Sequence, residues 1–473
     1  MLKRKVDVAI IGTGTAGMGA YREARKHTDS IALIEGGHYG TTCARVGCMP
    51  SKLLIAAAEA AHGAKHAGVF GLNVPTVETD GSAVLDRVKR ERDRFVGFVV
   101  EDVDDFDDSH KVRGYAGFLD AHRLQIDNGL EITADRIVIA TGSRPFIPEV
   151  LKGAGNRLLV NDDVFELEQL PASVLVVGTG VIGLELGQAL SRLNVKVTML
   201  SRKESIGGIA DSEIRKIAAD TFQSEFDLVL HAEVLAAKET LNGVQVTYRT
   251  QGGIVHTVVV DYVLSATGRI PNTDKLGLES TGITLDARGV PVSDRFTMQT
   301  SAPHIFIAGD ANNELPLLHE ASDEGRIAGS NAGTFPTVEP GHRRAGLGVV
   351  FSDPQIASVG KRAHELVPHT FITGKVSFHN QGRSRVMAKN QGMLKVYADQ
   401  HNGTLMGAEM FGPAAEHIGH LLAWAVQQSL TVHEILGMPF YHPVIEEGVR
   451  TAFRDAAEQL KKIEREEVSH AVA

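Results

Sequence analysis

Apolar and polar positions follow the same order twice in the first half of the chain. An apolar run at residues 6–11 leads into a glycine-rich turn, a helical stretch and a second apolar run at 31–34. The order returns with apolar runs at 174–177 and 196–200 around a helical stretch at 184–193. Short apolar runs that alternate with helical periodicity predict β–α–β units, and hence two parallel sheets.

The last third of the chain has a different pattern. Short alternating apolar runs predict an antiparallel sheet, with helices packed on it. The predicted strands there are residues 349–351, 357–359, 374–378, 392–397 and 405–411, and the predicted helices are 414–428 and 444–464. Elsewhere the pattern predicts buried strands at 132–133, 136–139, 261–266 and 304–307, and helices at 52–66 and 82–108. We therefore expect an α/β protein with two Rossmann-like domains and a C-terminal α+β domain.

Charge and hydropathy narrow the classes of function. The 473 residues carry a net charge of -10, which argues against a nucleic acid partner. No apolar run reaches the length of a membrane span, so we expect no membrane segment. The basic start is followed by an apolar run that contains Asp7 and ends at Gly12. That run is too short for a secretory signal and predicts a buried strand.

Cys43 and Cys48 are the only cysteines in the sequence, and they lie five positions apart. Gly47 allows a tight bend between them, so their thiols could come close enough to form a disulfide. A lone pair of this kind indicates a reducing cytoplasm, where a disulfide is a working redox group. The alternative is that the two cysteines are unrelated small residues of the core. We do not expect a metal site, because one would need more ligands than these two cysteines.

The first glycine-rich turn has the spacing of a dinucleotide-binding fingerprint. Gly12, Gly14 and Gly17 form G-x-G-x-x-G between strand and helix, and Glu35 closes the next strand 18 positions later. Gly12 would allow the tight turn, Gly14 would let the backbone approach a pyrophosphate, and Gly17 would let the helix lie on the strand. Glu35 would accept hydrogen bonds from ribose hydroxyls. The alternative is a glycine-rich turn without a ligand.

A second fingerprint has its glycines at Gly178, Gly180 and Gly183. Two fingerprints in one chain predict two dinucleotide sites. Where an acid would meet an adenosine ribose in this second unit, the chain has Ser201, Arg202 and Lys203. Cations there could accommodate the 2′-phosphate of NADP, so Arg202 favours NADPH, while Glu204 close by leaves NAD open.

Two predicted strands end in similar Thr-Gly turns, a common place for the backbone to contact a cofactor. Thr141 and Gly142 form the first turn, and Gly268 belongs to the second. The strand at 304–307 is followed by Asp310, which would face the ribityl or phosphate side of a flavin.

A helix is predicted to begin near Leu317, with His319 in its first turn. The N-terminal end of this helix could point at a flavin ring, where its dipole would stabilise the anionic reduced form.

Two histidine arrangements could carry chemistry. His442 precedes a proline near a helix start, and Glu447 follows five positions on, so the pair could form an oriented base. His62 and His66 lie four apart on a predicted helix, a spacing that can bind metal. Without a third ligand nearby we expect these two to be packed or solvated, and we predict no metal site.

Together these motifs resemble the class I pyridine nucleotide-disulfide oxidoreductases, the flavoprotein family of dihydrolipoyl dehydrogenase, glutathione reductase and mercuric reductase. The resemblance spans about residues 6–447 and rests on both fingerprints, Cys43-x4-Cys48 with Pro-Ser-Lys after it, Ala-Gly-Asp at 308–310, the stretch 352–360, and His442-Pro443 with Glu447. It implies a glutathione-reductase-like fold, bound FAD, and NAD, or NADP, as second cofactor.

Within the family, dihydrolipoyl dehydrogenase is the most similar member. The chain lacks the C-terminal redox pair of mercuric reductase and has Ser51 where glutathione reductases usually have lysine. It departs from the usual pattern at Val444, where the family has threonine, and at the bulky Phe440 and Tyr441. The alternatives are an NADPH-dependent reductase of another disulfide or of quinones, and a docking component of a multienzyme complex.

The resemblance also implies residue roles. His442, from the partner subunit of a homodimer, would take a proton from dihydrolipoamide, oriented by Glu447. Cys43 would be attacked by the substrate, and Cys48 would form a thiolate against the flavin. Lys52 and Glu185 match a pair near the flavin edge. The predicted cofactor-binding residues are Gly12, Gly14, Gly17, Glu35, Thr42, Lys52, Thr141, Gly142, Gly178, Gly180, Gly183, Glu185, Arg202, Gly268, Asp310, Leu317 and His319.

The same resemblance predicts the domain order. Residues 1–150 and 275–344 would form the FAD-binding domain, 151–274 the NAD(P)-binding domain, and 345–473 the dimerisation domain. A lipoyl-bearing partner such as a 2-oxoacid dehydrogenase complex is also implied, in the cytoplasm.

Overall fold

The chain folds into strands and helices that alternate through most of its length. The structure is a computed structural model that describes residues 2–472, with side chains for residues 2–466. Its strands are β1 Leu2–Ile11, β2 Ile31–Glu35, β3 Lys111–Arg113, β4 Ala116–Phe118, β5 Arg123–Ile126, β6 Leu130–Ile139, β7 Ser143–Pro145, β8 Leu158–Leu159, β9 Ser173–Val177, β10 Lys196–Leu200, β11 Asp227–Val229, β12 Glu233–Thr240, β13 Gly243–Arg249, β14 Val255–Val260, β15 Tyr262–Ser265, β16 Arg269–Pro271, β17 Ile305–Ile307, β18 Leu347–Val350, β19 Gln355–Gly360, β20 Phe371–Ser377, β21 Met393–Asp399 and β22 Leu405–Gly412. Its helices are α1 Thr15–Ala24, α2 Thr42–Val46, α3 Cys48–Lys65, α4 Gly81–Asp104, α5 Asn161–Val164, α6 Val181–Arg192, α7 Ser212–Glu225, α8 Leu318–Thr334, α9 Gly382–Val386, α10 Ala415–Gln427, α11 Val432–Leu436 and α12 Glu447–Val472.

The chain divides into two compact units. Unit 1 comprises Met1–Leu53, Asp86–Phe146 and Gly268–Arg343, and unit 2 comprises Leu54–Leu85, Ile147–Thr267 and Arg344–Ala473. No helix of the described residues is long and apolar enough to cross a membrane.

Unit 1 is built on a sheet with the order β3-β2-β1-β6-β5-β4, and β17 pairs with β6. Strands β3, β2, β1, β6 and β17 are parallel, so their carboxyl ends meet at one edge. The two predicted strands at 132–133 and 136–139 are wrong as separate elements. They form the single strand β6, because its pairing with β1 continues from Leu2↔Leu130 to Ile11↔Ile139.

Unit 2 contains a second parallel sheet, β11-β10-β9-β15-β8, and a C-terminal antiparallel sheet, β18-β19-β22-β21-β20. The predicted α/β class, with two parallel sheets and an antiparallel sheet near the C-terminus, is confirmed. Sequence reasoning missed the small sheet β12-β13-β14 and helix α7. Strand β12 reads Glu-Val-Leu-Ala-Ala-Lys-Glu-Thr, which favours helix, and its pairing with β13 overrides that preference.

Helices α1 and α8 of unit 1 pack with their backbones in contact. A Cβ atom added to Gly325 would lie 2.2 Å from the carbonyl oxygen of Ala16, and one on Gly329 would lie 2.2 Å from that of Ala20. These distances are well inside van der Waals contact, so any larger residue must push the helices apart.

We expect Gly329→Ala to lower the free energy of unfolding by about 1–3 kcal/mol, because the new methyl overpacks the contact between α1 and α8. Gly97→Ala on α4 is the matched control, since no described atom lies within 4 Å of a Cβ there. That control should stabilise the protein by roughly 0.5–1 kcal/mol. Denaturant unfolding of both variants tests this, and equal effects would contradict the packing argument.

Candidate active site

In the turn between β1 and α1, the backbone after β1 lies against the start of α1 and the end of β6. Gly12 has φ +109°, and a Cβ there would lie 2.3 Å from the carbonyl oxygen of Ala140. A Cβ on Gly17 would lie 1.9 Å from the carbonyl oxygen of Gly12. No described atom lies within 4 Å of a Cβ on Gly14, which precedes the first residue of α1. This is the one glycine of the three that leaves space for a ligand beside the helix N-terminus.

Glu35, at the end of β2, is held by the same turn. One carboxylate oxygen accepts hydrogen bonds from the backbone N–H and the hydroxyl of Thr13, at 2.9 and 2.7 Å. The other accepts a hydrogen bond from the N–H of Gly37 at 2.7 Å. The carboxylate is therefore fixed at the end of β2, the predicted position of a ribose contact.

Two buried polar atoms of unit 1 make no hydrogen bond to a described residue, one in the turn after β6 and one in the first turn of α8. The hydroxyl oxygen of Thr141 and Nε2 of His319 are buried and make no hydrogen bond to any described residue. Gly142 has φ +67°, and no described atom lies within 4 Å of a Cβ there. Buried polar groups are nearly always paired in folded proteins, so these atoms indicate a polar ligand. Leu317 immediately precedes α8, and its carbonyl oxygen accepts a hydrogen bond from the N–H of Ala321 at 2.9 Å.

Asp310 follows β17 at the same edge of the sheet. Its carboxylate accepts a hydrogen bond at 2.7 Å from the hydroxyl of Ser143, which in turn accepts one at 2.8 Å from Nε of Arg269. Sequence reasoning missed Ser143 and Arg269, although each stands next to a Thr-Gly turn. Gly268 has φ +117° and open space at its Cβ position.

The two cysteines are brought together as the spacing predicts. Cys43 lies on α2 and Cys48 begins α3, and both are present as thiols. A Cβ on Gly47 would lie 2.9 Å from the carbonyl oxygen of Thr42, so glycine permits the fold-back between the helices. A hydrogen bond with the Cys48 side chain, together with burial, raises the pKa of Cys43. Cys48 is exposed and Cys43 is partly buried.

The remaining residues of this stretch are Thr42 and Lys52. Thr42 is exposed at the start of α2. Lys52 donates a hydrogen bond to the hydroxyl of Ser51 at 3.4 Å. Glu185, on α6 of unit 2, is buried and accepts a hydrogen bond from the N–H of Phe351 at 2.9 Å. The pairing of Lys52 with Glu185 remains a prediction.

The second fingerprint, in unit 2, repeats the geometry of the first. Gly178 has φ +114°, and a Cβ there would lie 2.2 Å from the carbonyl oxygen of Ala266. A Cβ on Gly183 would lie 2.0 Å from the carbonyl oxygen of Gly178, whereas no described atom lies within 4 Å of a Cβ on Gly180. The turn can therefore hold a pyrophosphate in the same way.

The strand end beside this fingerprint differs from its counterpart in unit 1. The hydroxyl of Ser201 donates to the carbonyl oxygen of Lys203 at 2.8 Å, so it stabilises its own loop. Arg202, Lys203 and Glu204 are exposed, and Glu204 lies 4.0 Å from a guanidinium nitrogen of Arg215. Cations consequently predominate where unit 1 presents Glu35.

His442 and Glu447 lie together, as predicted for an oriented base. Nδ1 of His442 is 3.0 Å from Oε2 of Glu447, and the His442 side chain is 80% exposed. Because a carboxylate only accepts, Nδ1 carries the hydrogen and Nε2 keeps a lone pair open to solvent. Arg450 donates to the other oxygen of Glu447 at 2.7 Å. Burial alone would raise the pKa of Glu447, but hydrogen bonds from His442 and Val444 outweigh it and lower that pKa.

The histidine pair on α3 does not form a metal centre in the described part of the chain. The rings of His62 and His66 lie 4.0 Å apart, and no group of three metal-ligating side chains is found among the described residues. Burial, then the charge of Arg192, lowers the pKa of His62 to about 4.

Comparison with known proteins gives the family. The sequence profile of the pyridine nucleotide-disulphide oxidoreductases matches residues 6–325, and that of the dimerisation domain of the same enzymes matches residues 347–453. The chain belongs to this family. Its members are FAD- and pyridine nucleotide-dependent flavoprotein disulfide oxidoreductases, so this protein is an enzyme of that class.

Several relatives align along nearly the whole chain. Dihydrolipoyl dehydrogenase of Geobacillus stearothermophilus is 32% identical over 449 residues, which are 94% of this chain and 94% of that protein. Mercuric reductase of Shigella flexneri is 30% identical over 478 residues, 97% of this chain and 82% of that protein. These names support the predicted family and the predicted resemblance to dihydrolipoyl dehydrogenase.

Two solved structures share the fold. The flavoprotein disulfide reductase RclA from Escherichia coli has a TM-score of 0.80 at 24% identity and covers 95% of this chain and 99% of its own. LpdA from Mycobacterium tuberculosis has a TM-score of 0.80 at 25% identity and covers 96% and 99%. The predicted glutathione-reductase-like fold, with its dinucleotide-binding and dimerisation domains, is confirmed.

The residues of unit 1 fit FAD. Gly14 and Gly142 leave room for a ligand, Glu35 presents a fixed carboxylate, and the buried polar atoms of Thr141 and His319 make no hydrogen bond to a described residue. A group with phosphates, ribose and a polar ring would satisfy all of them.

We expect Gly14→Ala to weaken FAD binding at least about tenfold, because the methyl occupies the approach to the pyrophosphate. The unfolding free energy of the FAD-free protein should stay within about 0.5 kcal/mol of wild type, since the added atom meets no protein atom. Flavin fluorescence titration and denaturant unfolding measure the two quantities.

Gly180→Ala is the matched control, because its surroundings in the second fingerprint are the same. It should weaken binding of the pyridine nucleotide and leave FAD binding unchanged. If Gly14→Ala retained wild-type affinity for FAD, the assignment of the first fingerprint to FAD would be wrong.

Proposed function

We propose that this enzyme is a dihydrolipoyl dehydrogenase, which oxidises dihydrolipoamide to lipoamide and reduces NAD+. The observation that carries the proposal is the contact between Cys43 and Cys48 in the unit that bears the first fingerprint. A dithiol–disulfide pair that exchanges with a substrate dithiol needs two sulfur atoms in direct reach of each other. The 32% identity to a dihydrolipoyl dehydrogenase over 94% of the chain supports the choice of substrate.

The catalytic residues act on protons and sulfur atoms. Nε2 of His442, supplied by the partner subunit of a homodimer, removes a proton from one thiol of dihydrolipoamide. The thiolate attacks Cys43 of the Cys43–Cys48 disulfide, so a mixed disulfide forms and Cys48 leaves as a thiolate. The second substrate thiol displaces Cys43, and lipoamide is released. Cys43 and Cys48 are then both in the reduced dithiol state.

FAD, when bound, would supply the two-electron chemistry that links reoxidation of the Cys43–Cys48 dithiol to reduction of NAD+. The residues of the chain position the two cofactors. Glu35 and Asp310 would hold FAD, Lys52 and Glu185 are the residues proposed for the flavin edge, and Gly180 would admit the pyrophosphate of the pyridine nucleotide. Glu447 fixes the ring of His442 and stabilises its protonated form.

A second candidate function is an NADPH-dependent reductase of another disulfide or of quinones. The exposed cations Arg202 and Lys203 at the end of β10 favour it, since they suit a 2′-phosphate. The 30% identity to mercuric reductase is in line with a different acceptor.

The proposed setting follows from the substrate. The matched dimerisation domain supports a homodimer in which each subunit completes the site of the other. The proposed partner is a lipoyl-bearing 2-oxoacid dehydrogenase complex, and the proposed compartment is the cytoplasm. Within this proposal the order of domains is that of the predicted boundaries, with 1–150 and 275–344 binding FAD, 151–274 binding the pyridine nucleotide, and 345–473 forming the dimer contact.

Anaerobic mixing of the FAD-loaded enzyme with dihydrolipoamide tests the proposal. We expect a long-wavelength absorption band that arises from the Cys48 thiolate against the flavin. Cys48→Ser should abolish this band, whereas Cys43→Ser should retain it and lose disulfide turnover. Loss of the band on adding NAD+, but not NADP+, would support dihydrolipoyl dehydrogenase. No band with dihydrolipoamide, but the same band with NADPH, would favour the second candidate instead.

His442→Gln should lower kcat for dihydrolipoamide oxidation by about 10²–10⁴-fold, the usual contribution of a general base. Reduction of the flavin by NADH should persist, because that step does not use the base. His433→Gln is the matched control, an exposed histidine on α11 of the same unit. Steady-state and stopped-flow kinetics measure both steps, and a His442 variant with wild-type kcat would overturn the role of the base.

A further inference from the structure

Three charged side chains are buried together in unit 1. Glu320 and Glu324 lie on α8, and Arg343 ends the unit, with side chains 5%, 0% and 6% exposed. The guanidinium of Arg343 donates to Glu324 at 2.9 Å and to Glu320 at 2.8 Å. Two carboxylates thus share one cation in the interior, an arrangement with a substantial desolvation cost.

Glu324 differs from Glu320 in what its second oxygen reaches. Oε2 of Glu324 accepts a hydrogen bond from the N–H of Gly309 and another from the amide of Asn312, both at 2.8 Å. These two residues are the ends of the short 3₁₀ turn that follows β17 and carries Asp310. The carboxylate therefore clasps the turn at both ends.

The turn has little freedom of its own. Gly309 has φ +71°, and a Cβ there would lie 3.0 Å from Cβ of Ala16 and 3.3 Å from Cβ of Ala321. On its far side, Asp310 accepts the hydrogen bond from Ser143. The position of Asp310 is consequently set from two directions, by Ser143 and by the clasp of Glu324.

A carboxylate is the group that fits this place. Its two oxygens accept from three donors, those of Gly309, Asn312 and Arg343, which an amide with one oxygen cannot do. Burial raises the pKa of Glu324, and Arg343 and the turn donors oppose that effect. Because buried ion pairs are weak contributors to stability, fold stability alone does not explain the charge.

We propose that Glu324 is a positioning residue for the flavin, which acts by holding the turn of residues 309–312 so that Asp310 presents its carboxylate to FAD. Arg343 compensates the charge of Glu324, and Glu320 completes the coordination of Arg343. The inference rests on the proposed binding of FAD by unit 1. The hydrogen-bond partners of Glu324 are Gly309, Asn312 and Arg343.

Release of FAD from the holoenzyme tests this role. Glu324→Gln keeps the size of the side chain and removes one acceptor, so we expect flavin fluorescence to report FAD release about tenfold faster than from wild type. The visible absorption spectrum of the bound flavin should also shift towards that of free FAD. Glu320→Gln is the matched control, because Glu320 is similarly buried and contacts Arg343 and His319 but not the turn. It should lower stability, as loss of a buried ion pair does, and change the release rate less than about threefold.

Equal acceleration of release in both variants would overturn the inference, since it would indicate a general loss of stability. A wild-type release rate in Glu324→Gln would also overturn it. If Glu324→Gln fails to fold, Asn312→Ala takes its place, with an expected two- to fivefold faster release because one of the two hydrogen bonds to the turn remains. An unchanged rate in that variant would contradict the clasp. A purified wild-type protein that cannot bind FAD would instead refute the proposed function.

Discussion

Contact between backbones is the constraint on which unit 1 depends. Gly12 and Gly17 let α1 lie against the end of β1, and Gly325 and Gly329 let α8 lie against α1. A single Cβ at these positions would collide with a carbonyl oxygen. Because β1, β6 and β17 are parallel, the turns after them meet at one edge of the sheet, and the polar groups that fit FAD come from this edge.

The glycine-rich turn of unit 2 has the same close backbone contacts as that of unit 1. Its fingerprint has matching φ angles and matching close approaches, so the pyrophosphate chemistry of the two units is equivalent. The two units differ at the end of the strand that follows the fingerprint helix. In unit 1, Glu35 is held there by Thr13 and Gly37, whereas in unit 2 Arg202 and Lys203 are exposed to solvent. The two turns therefore match in backbone geometry and differ in the charge that the following strand end presents.

The candidate reactive side chains of this enzyme are brought together by short local segments of the chain. The two cysteines meet because Gly47 permits a fold-back over five positions, and His442 meets Glu447 over the same separation at the start of α12. By contrast, the turn that carries Asp310 is held by Glu324, 12 to 15 positions along the chain, and by Ser143, 167 positions away. Short local segments bring together the cysteines and the His442–Glu447 pair, while longer-range contacts hold the turn of residues 309–312.

The sequence by itself determined the α/β class, the two fingerprints, the cysteine pair and the His442–Glu447 pair. Each of these features depends on apolar periodicity or on residues only a few positions apart in the chain. Only the tertiary structure decided that β6 is one strand, that Glu-Ala-rich β12 is not a helix, and that Ser143 and Arg269 support Asp310. It also decided that Glu324 clasps residues 309–312 with its charge balanced by Arg343. Contacts of this kind depend on which distant segments pair, and pairing is set by burial and backbone hydrogen bonds that no local pattern encodes.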